Sequence, residues 1–230
     1  MAVPNVETEG RIREAAIGLF AEQGFGHTTI RQVAERAGVS AALVIHYFGS
    51  KDGLRAACDR RVAELIRVGK EEGAAQGPGL DPLAAMRKAA EGPPLIRYMA
   101  RALAERSPGV NDLFDQLVTD AIAYSRVMVD TGIIKPSDHH EGRAVVLTAW
   151  SLGALVLHEH IERVLGVDIL THPDDPAAGQ PYFAPMLEML SGGLLQPEVA
   201  ERYRQAFLQP SGPGSSKQQP DHEEDSDDHG

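Results

Sequence analysis

The sequence contains little of what a disulfide-stapled or membrane-spanning protein requires. Cys58 is the single cysteine, so an internal disulfide framework is excluded. The longest apolar run, residues 144–157, is interrupted by Thr148 and Ser151 and is shorter than the roughly 20 residues that cross a bilayer. Residues 1–10 lack the basic stretch and apolar block of an export signal. We therefore expect a soluble, globular protein of the cytoplasm.

Proline is absent from long stretches of the chain, and strand patterns are absent as well. No proline lies between Pro4 and Pro78, between Pro108 and Pro136, or between Pro136 and Pro173. Because proline disrupts helix interiors, these windows can hold long helices. No segment alternates apolar and polar residues with the period of two that is typical of strands. The sequence predicts an all-α fold of about nine helices, without an internal repeat.

The charge is negative overall and unevenly distributed. The chain has 22 basic and 33 acidic side chains and a net charge of -11. Residues 1–65 are neutral, residues 66–210 carry -6 and residues 211–230 carry -5. The last segment has no apolar residue, so it cannot bury enough surface to offset the entropy lost on ordering. We predict a disordered acidic tail over residues 210–230.

Residues 28–54 have the spacing of two short helices joined by a tight corner. Thr29 and Gln32 are placed to form a capping box for the first helix, and Gly38 permits the positive φ that a sharp reversal requires. Ser40 is placed to cap a second helix over residues 41–47. This spacing is typical of a helix-turn-helix, whose second helix enters a DNA major groove, and it also fits a plain corner in an all-α protein.

Other helix limits follow from the same kinds of signal. The first helix should end at Gly24 in the left-handed conformation. Residues 51–72 look helical throughout, which corresponds to roughly 30 Å and is enough to join two globular parts rigidly. Asp138 and Glu141 are spaced as a capping box for another long helix, which should run to Leu165 and stop at Gly166. Shorter helices are predicted over residues 82–90, 94–105, 183–190 and 197–208.

A composite signature extends over about the first 55 residues. It comprises Arg11, Ala15-Ala16, and residues 19–25, 28–30, 33–34, 37–40 and 47–51. This signature closely resembles the TetR family of bacterial transcriptional regulators. The resemblance implies a three-helix DNA-binding domain over residues 1–55, joined by the helix from Lys51 to a helical ligand-binding and dimerisation domain over residues 56–209.

The resemblance also implies which side chains meet a pseudo-palindromic DNA operator. Phosphates would be contacted by Thr29, Arg31, Tyr47 and Lys51, and base edges or backbone by Ser40, Ala41, Ala42 and His46. Two positions depart from the family pattern, because Leu43 stands where many relatives have Thr and Ile45 where many have Tyr. Apolar readout of thymine methyl groups, or simple packing, would replace the missing polar contacts.

The rest of the chain has no recognisable catalytic arrangement. It lacks a Gly-rich phosphate loop, a nucleophile elbow and a zincin-type His-Glu pair. His158 and Glu162 share a helix face, but the local spacing supplies no complete set of metal ligands. We therefore expect no enzyme, no metal site and no cofactor. A ligand pocket would draw its apolar lining and polar anchors from nine residues: Met86, Arg97, Tyr98, Arg101, Phe114, Tyr124, Met128, Trp150 and His158.

The resemblance implies a homodimeric repressor that leaves its operator when a small organic effector, apolar or anionic, binds the helical domain. For the dimer we expect the helix ending at Leu165, together with the helices over residues 183–190 and 197–208. Two other functions fit the sequence. One is a regulator controlled by a protein partner without a small effector, and the other is a carrier or enzyme for a hydrophobic ligand. We expect the protein in the bacterial cytoplasm, on the nucleoid when bound to DNA.

Overall fold

A computed structural model describes residues 6–81, 84, 88, 94–105, 109–170 and 176–208. These residues form ten α-helices, a short 3₁₀ helix (Gly77–Gly79) and no strand, so the all-α prediction is confirmed. The helices are α1 (Val6–His27), α2 (Ile30–Ala37), α3 (Ala41–Phe48), α4 (Lys51–Ala75), α5 (Leu95–Ala104), α6 (Val110–Asp130), α7 (His140–Val156), α8 (His158–Leu165), α9 (Pro176–Gly192) and α10 (Pro197–Leu208). Met86, most of the helix predicted over residues 82–90 and the predicted tail lie outside the described residues.

Helices α1, α2 and α3 form a head held by apolar side chains. Ile12, Ala16 and Phe20 recur every four residues on α1, and all three are buried. Val33 of α2 and Val44 of α3 are fully buried in the same cluster. Since burying a Val or Ile side chain stabilises the fold by about 1.5–3 kcal/mol, this packing fixes how α3 lies on the other two helices.

Helix α4 continues the core of the head into the rest of the molecule. The Ser50 hydroxyl caps it by accepting the Gly53 N–H at 3.0 Å. Leu54, Cys58 and Val62 lie one turn apart and are fully buried. The helix packs on α1, α3 and α6. The long helix predicted from Lys51 is confirmed and reaches Ala75, whereas the placing of a domain boundary inside it stays a prediction.

The body is built from α5, α6 and α7. Helix α5 packs on α1 and α7, and α6 packs on α4 and α7. Tyr98, Leu113, Leu117 and Leu152 are buried in the cluster that also contains the head residues. Head and body therefore share one continuous apolar core.

The end of α1 differs from the prediction for Gly24. Its φ of 80° is positive as expected, but its ψ of 165° is far from the left-handed value of about 47°. Helical residues resume after this break and continue to His27. Because Gly24 interrupts the helical hydrogen bonding, the N–H of Phe25 points elsewhere, and the Glu105 carboxylate accepts it at 2.9 and 3.1 Å.

The single helix predicted from Asp138 to Leu165 is wrong, because the chain forms α7 and α8 instead. Leu157 lies between them with φ -94° and ψ 13°. Its N–H donates to the last turn of α7, and its carbonyl accepts the N–H groups of His160 and Ile161 in α8. One residue therefore ends one helix and begins the next, with a bend of 71° between them.

The start of α7 also differs from the predicted capping box. His139 precedes the helix and its side chain makes no capping hydrogen bond. Instead, Glu141 Oε1 lies 3.3 Å from Nη2 of Arg126 in α6. At the other end of the pair, Gly166 adopts φ 69° and ψ 22° and ends α8 as predicted.

None of the described helices is, by itself, both long and apolar enough to cross a membrane. Taken together, α7 and α8 would reach the required length and composition, but they are the pair bent by 71°.

The chain from Met186 onward forms a second compact unit, of which the structure describes residues 186–208. Helix α9 is longer than the predicted 183–190, and α10 has the predicted bounds. Several large apolar side chains of this unit are exposed: Leu187, Met189, Leu190, Leu194, Leu195, Val199 and Tyr203.

The geometry at Gly24 predicts a specific sensitivity to substitution. A Cβ added at Gly24 would collide with Glu105 Oε1, whose carboxylate is held by the Phe25 N–H, and the positive φ adds backbone strain. We expect Gly24→Ala to lower the free energy of unfolding by about 1–3 kcal/mol in urea titrations. Gly10→Ala is the matched control, since its Cβ would meet no atom within 4 Å. Equal stability of the two variants would contradict the strain assigned to Gly24.

Candidate nucleic-acid interface

Local hydrogen bonds fix the corner between α2 and α3. The Thr29 hydroxyl accepts the Gln32 N–H at 3.2 Å, and the Gln32 side-chain oxygen accepts the Thr29 N–H at 2.7 Å. Gly38 ends α2 in the left-handed conformation, with φ 66° and ψ 39°. The predicted capping box and the predicted role of Gly38 are both confirmed.

Two arginines hold α2 against α1. Arg11 donates from Nη2 to the Ala37 carbonyl at 3.0 Å, at the end of α2. Arg36 makes two hydrogen bonds to the Glu22 carboxylate at 2.9 and 2.8 Å, which lower the pKa of Glu22. Because the Arg36–Glu22 pair is exposed, it stabilises the head by less than about 1 kcal/mol and serves mainly to orient α2.

Helix α3 presents one face to solvent and buries the opposite one. Ser40 caps it by accepting the Leu43 N–H at 3.2 Å. Val44 is fully buried, whereas Ile45 is 42 % exposed. The predicted base-facing residues are all exposed: Ser40, Ala41, Ala42 and His46. A helix with this face can approach another surface closely, because its first two residues carry only methyl groups.

The predicted phosphate-contacting residues occupy the surrounding helix ends. Thr29 and Arg31 are exposed at the start of α2, where unpaired N–H groups favour anions. Tyr47 at the end of α3 is half-buried. Lys51 begins α4, and its Nζ lies 4.2 Å from the centre of the Phe25 ring. This cation–π contact stabilises a lysine at a helix start, where the helix dipole is otherwise unfavourable for a cation.

A cluster of charged and aromatic side chains joins the head to the body. We call it the head–body clasp and define it as Phe25 of α1, Arg55 and Asp59 of α4, Tyr98 of α5, and Glu105 directly after α5. The Arg55 and Asp59 side chains are only 7 % and 11 % exposed, so the clasp places an ion pair inside the protein.

Every member of the clasp contacts Arg55 or its partners. Arg55 Nε lies 3.8 Å from Asp59 Oδ2, and Nη1 lies 3.7 Å from Glu105 Oε2. Its guanidinium also lies 4.6 Å from the Phe25 ring centre, and Nη2 donates to the Ala102 carbonyl at 3.3 Å. Phe25 thus contacts two cations, Arg55 and Lys51, one turn apart on α4.

Burial determines the protonation behaviour of the clasp. The Tyr98 hydroxyl donates to Asp59 Oδ1 at 2.6 Å. Burial raises the pKa of Asp59, while the Tyr98 hydrogen bond and the Arg55 charge act in the opposite direction. Burial, reinforced by the negative charge of Asp59, also raises the pKa of Tyr98, so its hydroxyl keeps its proton and remains a donor.

A small pocket lies beside the clasp. Its volume is about 10 Å³, which is enough for roughly one water molecule and far below that of typical ligand pockets. Its lining comprises Phe20, Phe25, Arg55, Tyr98, Arg101, Ala102 and Glu105. Two of the predicted pocket residues, Tyr98 and Arg101, belong to this lining. The other predicted residues that the structure describes are not part of this lining: Arg97, Phe114, Tyr124, Met128 and His158 are half-buried and Trp150 is exposed. Their role as a ligand pocket stays a prediction.

Sequence reasoning missed the clasp, although one signal was available. Arg55 and Asp59 stand four residues apart, each next to a member of the buried series Leu54 and Cys58. Charged residues beside an apolar helix stripe can pair in the interior. Glu105, by contrast, carries no local signal, because its partner Phe25 is 80 residues away.

No three His, Cys, Asp or Glu side chains in the described part of the chain come together as a group that could hold a metal ion. His158 is half-buried, and its Nδ1 has no hydrogen-bond partner among the described residues.

Comparisons with known proteins agree with this arrangement. A family model described as "Bacterial regulatory proteins, tetR family" matches residues 12–58, and one described as "Tetracyclin repressor-like, C-terminal domain" matches residues 91–196. The HTH-type transcriptional regulatory protein RaaS of Mycobacterium tuberculosis is 36% identical over 200 residues, covering 85% of this chain and 90% of its own length. The regulator HbdR of Aromatoleum is 48% identical over 48 residues, 21% of each chain.

Solved structures share the fold at low sequence identity. Salmonella enterica GusR is 20% identical with a TM-score of 0.55, covering 84% of this chain and 97% of its own. A regulator from Streptomyces coelicolor is 17% identical with a TM-score of 0.53, and the match covers 91% of this chain and 100% of that regulator. A gamma-butyrolactone receptor, described as ArpA-like, is 20% identical with a TM-score of 0.50, and the match covers 86% of this chain and 92% of that receptor.

The clasp predicts a large effect of removing one buried charge. Arg55→Leu leaves the Asp59 carboxylate buried without its cation, so we expect a loss of about 3–5 kcal/mol in the free energy of unfolding. Arg36→Leu removes an arginine of an exposed pair and should cost less than about 1 kcal/mol. Urea titrations followed by circular dichroism give both values.

A double variant separates the charge pairing from the packing. Arg55→Leu with Asp59→Leu removes both charges of the buried Arg55–Asp59 pair and should recover part of the loss, although the Tyr98 hydroxyl then lacks its acceptor. A loss equal to the sum of the two single variants would show that Arg55 and Asp59 are not coupled.

Proposed function

This chain belongs to the TetR family of bacterial transcriptional regulators, and from that premise we propose that it is a homodimeric repressor. In this proposal it binds a palindromic operator through two heads and leaves it when a small organic molecule binds the helical body. DNA-binding regulators of this family act as dimers on operators. The observation that carries the proposal is the head–body clasp, because it places body residues in direct contact with the segment that supports the DNA-binding surface.

The proposed DNA contacts follow from the exposed end of the head. Helix α3 lies in the major groove with Ser40, Ala41, Ala42 and His46 toward the bases, as a recognition helix does. Arg31, Tyr47 and Lys51 bind phosphates on either side. The Thr29 hydroxyl is already engaged in the capping box, so its part is to hold the start of α2 for an anion.

The proposed release step runs through α5. Glu105 directly follows this helix and accepts the Phe25 N–H, while the Phe25 ring contacts Lys51. A displacement of α5 on ligand binding therefore moves Phe25 and, with it, the support of a phosphate-binding lysine. Half-sites of a palindromic operator lie about 34–36 Å apart, so a shift of a few Å in one head prevents both from fitting at once.

The proposed effector is a small organic molecule of apolar or anionic character. The half-buried residues Phe114, Tyr124 and Met128 supply apolar surface in the body, and the unpartnered Nδ1 of His158 supplies a polar group. A neighbour of the same fold is a gamma-butyrolactone receptor, so helical bodies of this kind can accept a small organic molecule. To cause release, the effector must bind the DNA-free form more tightly than the DNA-bound form.

The proposed dimer uses the exposed apolar face of α7 and α8. Val146 and Val164 are 65 % and 67 % exposed, and Leu157 at the bend is 52 % exposed. A monomer rarely leaves so many large apolar residues uncovered on two adjacent helices. Helices α9 and α10 carry a further exposed apolar set, described above, that two copies of the chain would also bury. Both surfaces fit an isologous interface.

Binding-site selection on random duplex DNA tests the DNA-binding part of the proposal. We expect the full chain to enrich an inverted repeat. Lys51→Ala should weaken binding about tenfold and reduce the slope of log affinity against log salt by about one, because one phosphate contact is lost. Lys135→Ala, a substitution in the body, should change neither. Enrichment of no repeat, or an unchanged slope for Lys51→Ala, would contradict the proposed contacts.

Charge placed on the α7–α8 face tests the dimer. Val146→Asp together with Val164→Asp should convert the protein into a monomer of 24.8 kDa by light scattering and abolish tight binding to the inverted repeat. Val6→Asp, at an 83 % exposed valine of the head, should leave the dimer intact. A double variant that stays dimeric would contradict this interface.

A further inference from the structure

The recognition helix lacks the side chains that usually read bases through paired hydrogen bonds. Residues 40–48 contain no Arg, Lys, Asn, Gln, Asp or Glu. Those residue types recognise guanine, adenine and cytosine in the major groove by their donor and acceptor edges. The hydrogen-bonding side chains of α3 and its cap are those of Ser40, His46 and Tyr47, and the Ser40 oxygen already accepts the Leu43 N–H. Little capacity for polar base readout is left.

Ile45 is an exposed large apolar residue, whereas most large apolar side chains of the head are buried or half-buried. Within the described residues 6–50, Val6 and Ile45 are the exposed large apolar residues, and Val6 lies at the very start of α1. Ile45 lies one turn after Ala41 and Ala42, so the three share one helix face. Val44 beside it is fully buried and provides the core contact of α3. The packing of the head therefore does not account for an isoleucine at position 45.

Thymine is the base whose major-groove edge presents a methyl group, and apolar side chains contact it. The methyl side chains of Ala41 and Ala42 let α3 approach the groove floor closely enough for such a contact. We infer that Ile45 is a specificity-determining residue that packs against a thymine methyl group in each operator half-site. This inference rests on the DNA-binding part of the proposed function and is independent of the effector and of the dimer surface.

Deoxyuridine scanning tests the inference, because uracil differs from thymine at this edge only by the missing methyl group. Each thymine of a selected half-site is replaced singly by deoxyuridine, and affinity is measured by gel shift with the full chain. Removing one buried methyl group corresponds to about a fourfold loss. We expect this loss at one thymine, and about a fifteenfold loss when both half-sites carry the replacement.

The variants Ile45→Ala and His46→Ala complete the test. Ile45→Ala should bind the thymine and deoxyuridine operators equally, since the contacting side chain is gone. His46→Ala should bind more weakly yet keep the fourfold discrimination. Because Ile45 is exposed, its substitution leaves the core intact, which circular dichroism verifies.

Two results would overturn the inference. Wild-type protein that binds its operator with no loss at any deoxyuridine shows that no methyl group is read. Discrimination that persists in Ile45→Ala assigns the methyl contact to another residue. Both results leave the proposed repressor function standing, whereas failure to bind any DNA overturns the two proposals together.

Discussion

The buried guanidinium of Arg55 is the interaction on which the arrangement of head and body depends. A charge with 7 % exposure needs partners, and they come from α4 itself, from the end of α5 and from the aromatic ring after the break in α1. Taking away one partner leaves an uncompensated charge in a medium of low polarity, which costs far more than an exposed pair such as Arg36–Glu22. Helices α1, α4 and α5 are therefore held together by the contacts of the buried Arg55 charge as well as by apolar packing.

This constraint explains why different residues of the head stabilise the fold and form its exposed surface. The buried residues Ile12, Val33 and Val44 fix the mutual orientation of three helices, and the clasp fixes the head on α4. The exposed face of α3 takes no part in these contacts. Small and apolar side chains can occupy this face because the core formed by the described residues does not use it, so its composition carries information about what the face binds.

The parts of the fold that depend on neighbouring residues could be predicted from the sequence. The Thr29–Gln32 capping box, the left-handed Gly38 and the start of α4 at Lys51 all depend on residues within one turn, and each was predicted correctly. The break at Leu157 could not be predicted from the capping signals, because no glycine or proline marks it and both flanking segments keep a helical pattern. A hydrogen bond between residues 80 positions apart, as from the Phe25 N–H to the Glu105 carboxylate, likewise leaves no trace in the periodicity of the sequence. The DNA-facing residues rest on a family signature that is local to the head, whereas the body supplies no comparable motif for the pocket residues. Both sets remain predictions.

The long sequence separation within the clasp also bears on how the protein is made. Synthesis proceeds from the N-terminus, and Glu105 is added 80 residues after Phe25. At the usual 5–20 residues per second, that interval lasts roughly 4–16 s. Helices α2 and α3 and Arg55 are themselves added within this interval, so only for its last 50 residues does the chain contain Arg55 without its partner Glu105. The contacts that Glu105 makes with Arg55 and with the Phe25 N–H can therefore form only after α5 has been synthesised, so the attachment of the head to the body is completed after the helices of the head have been made.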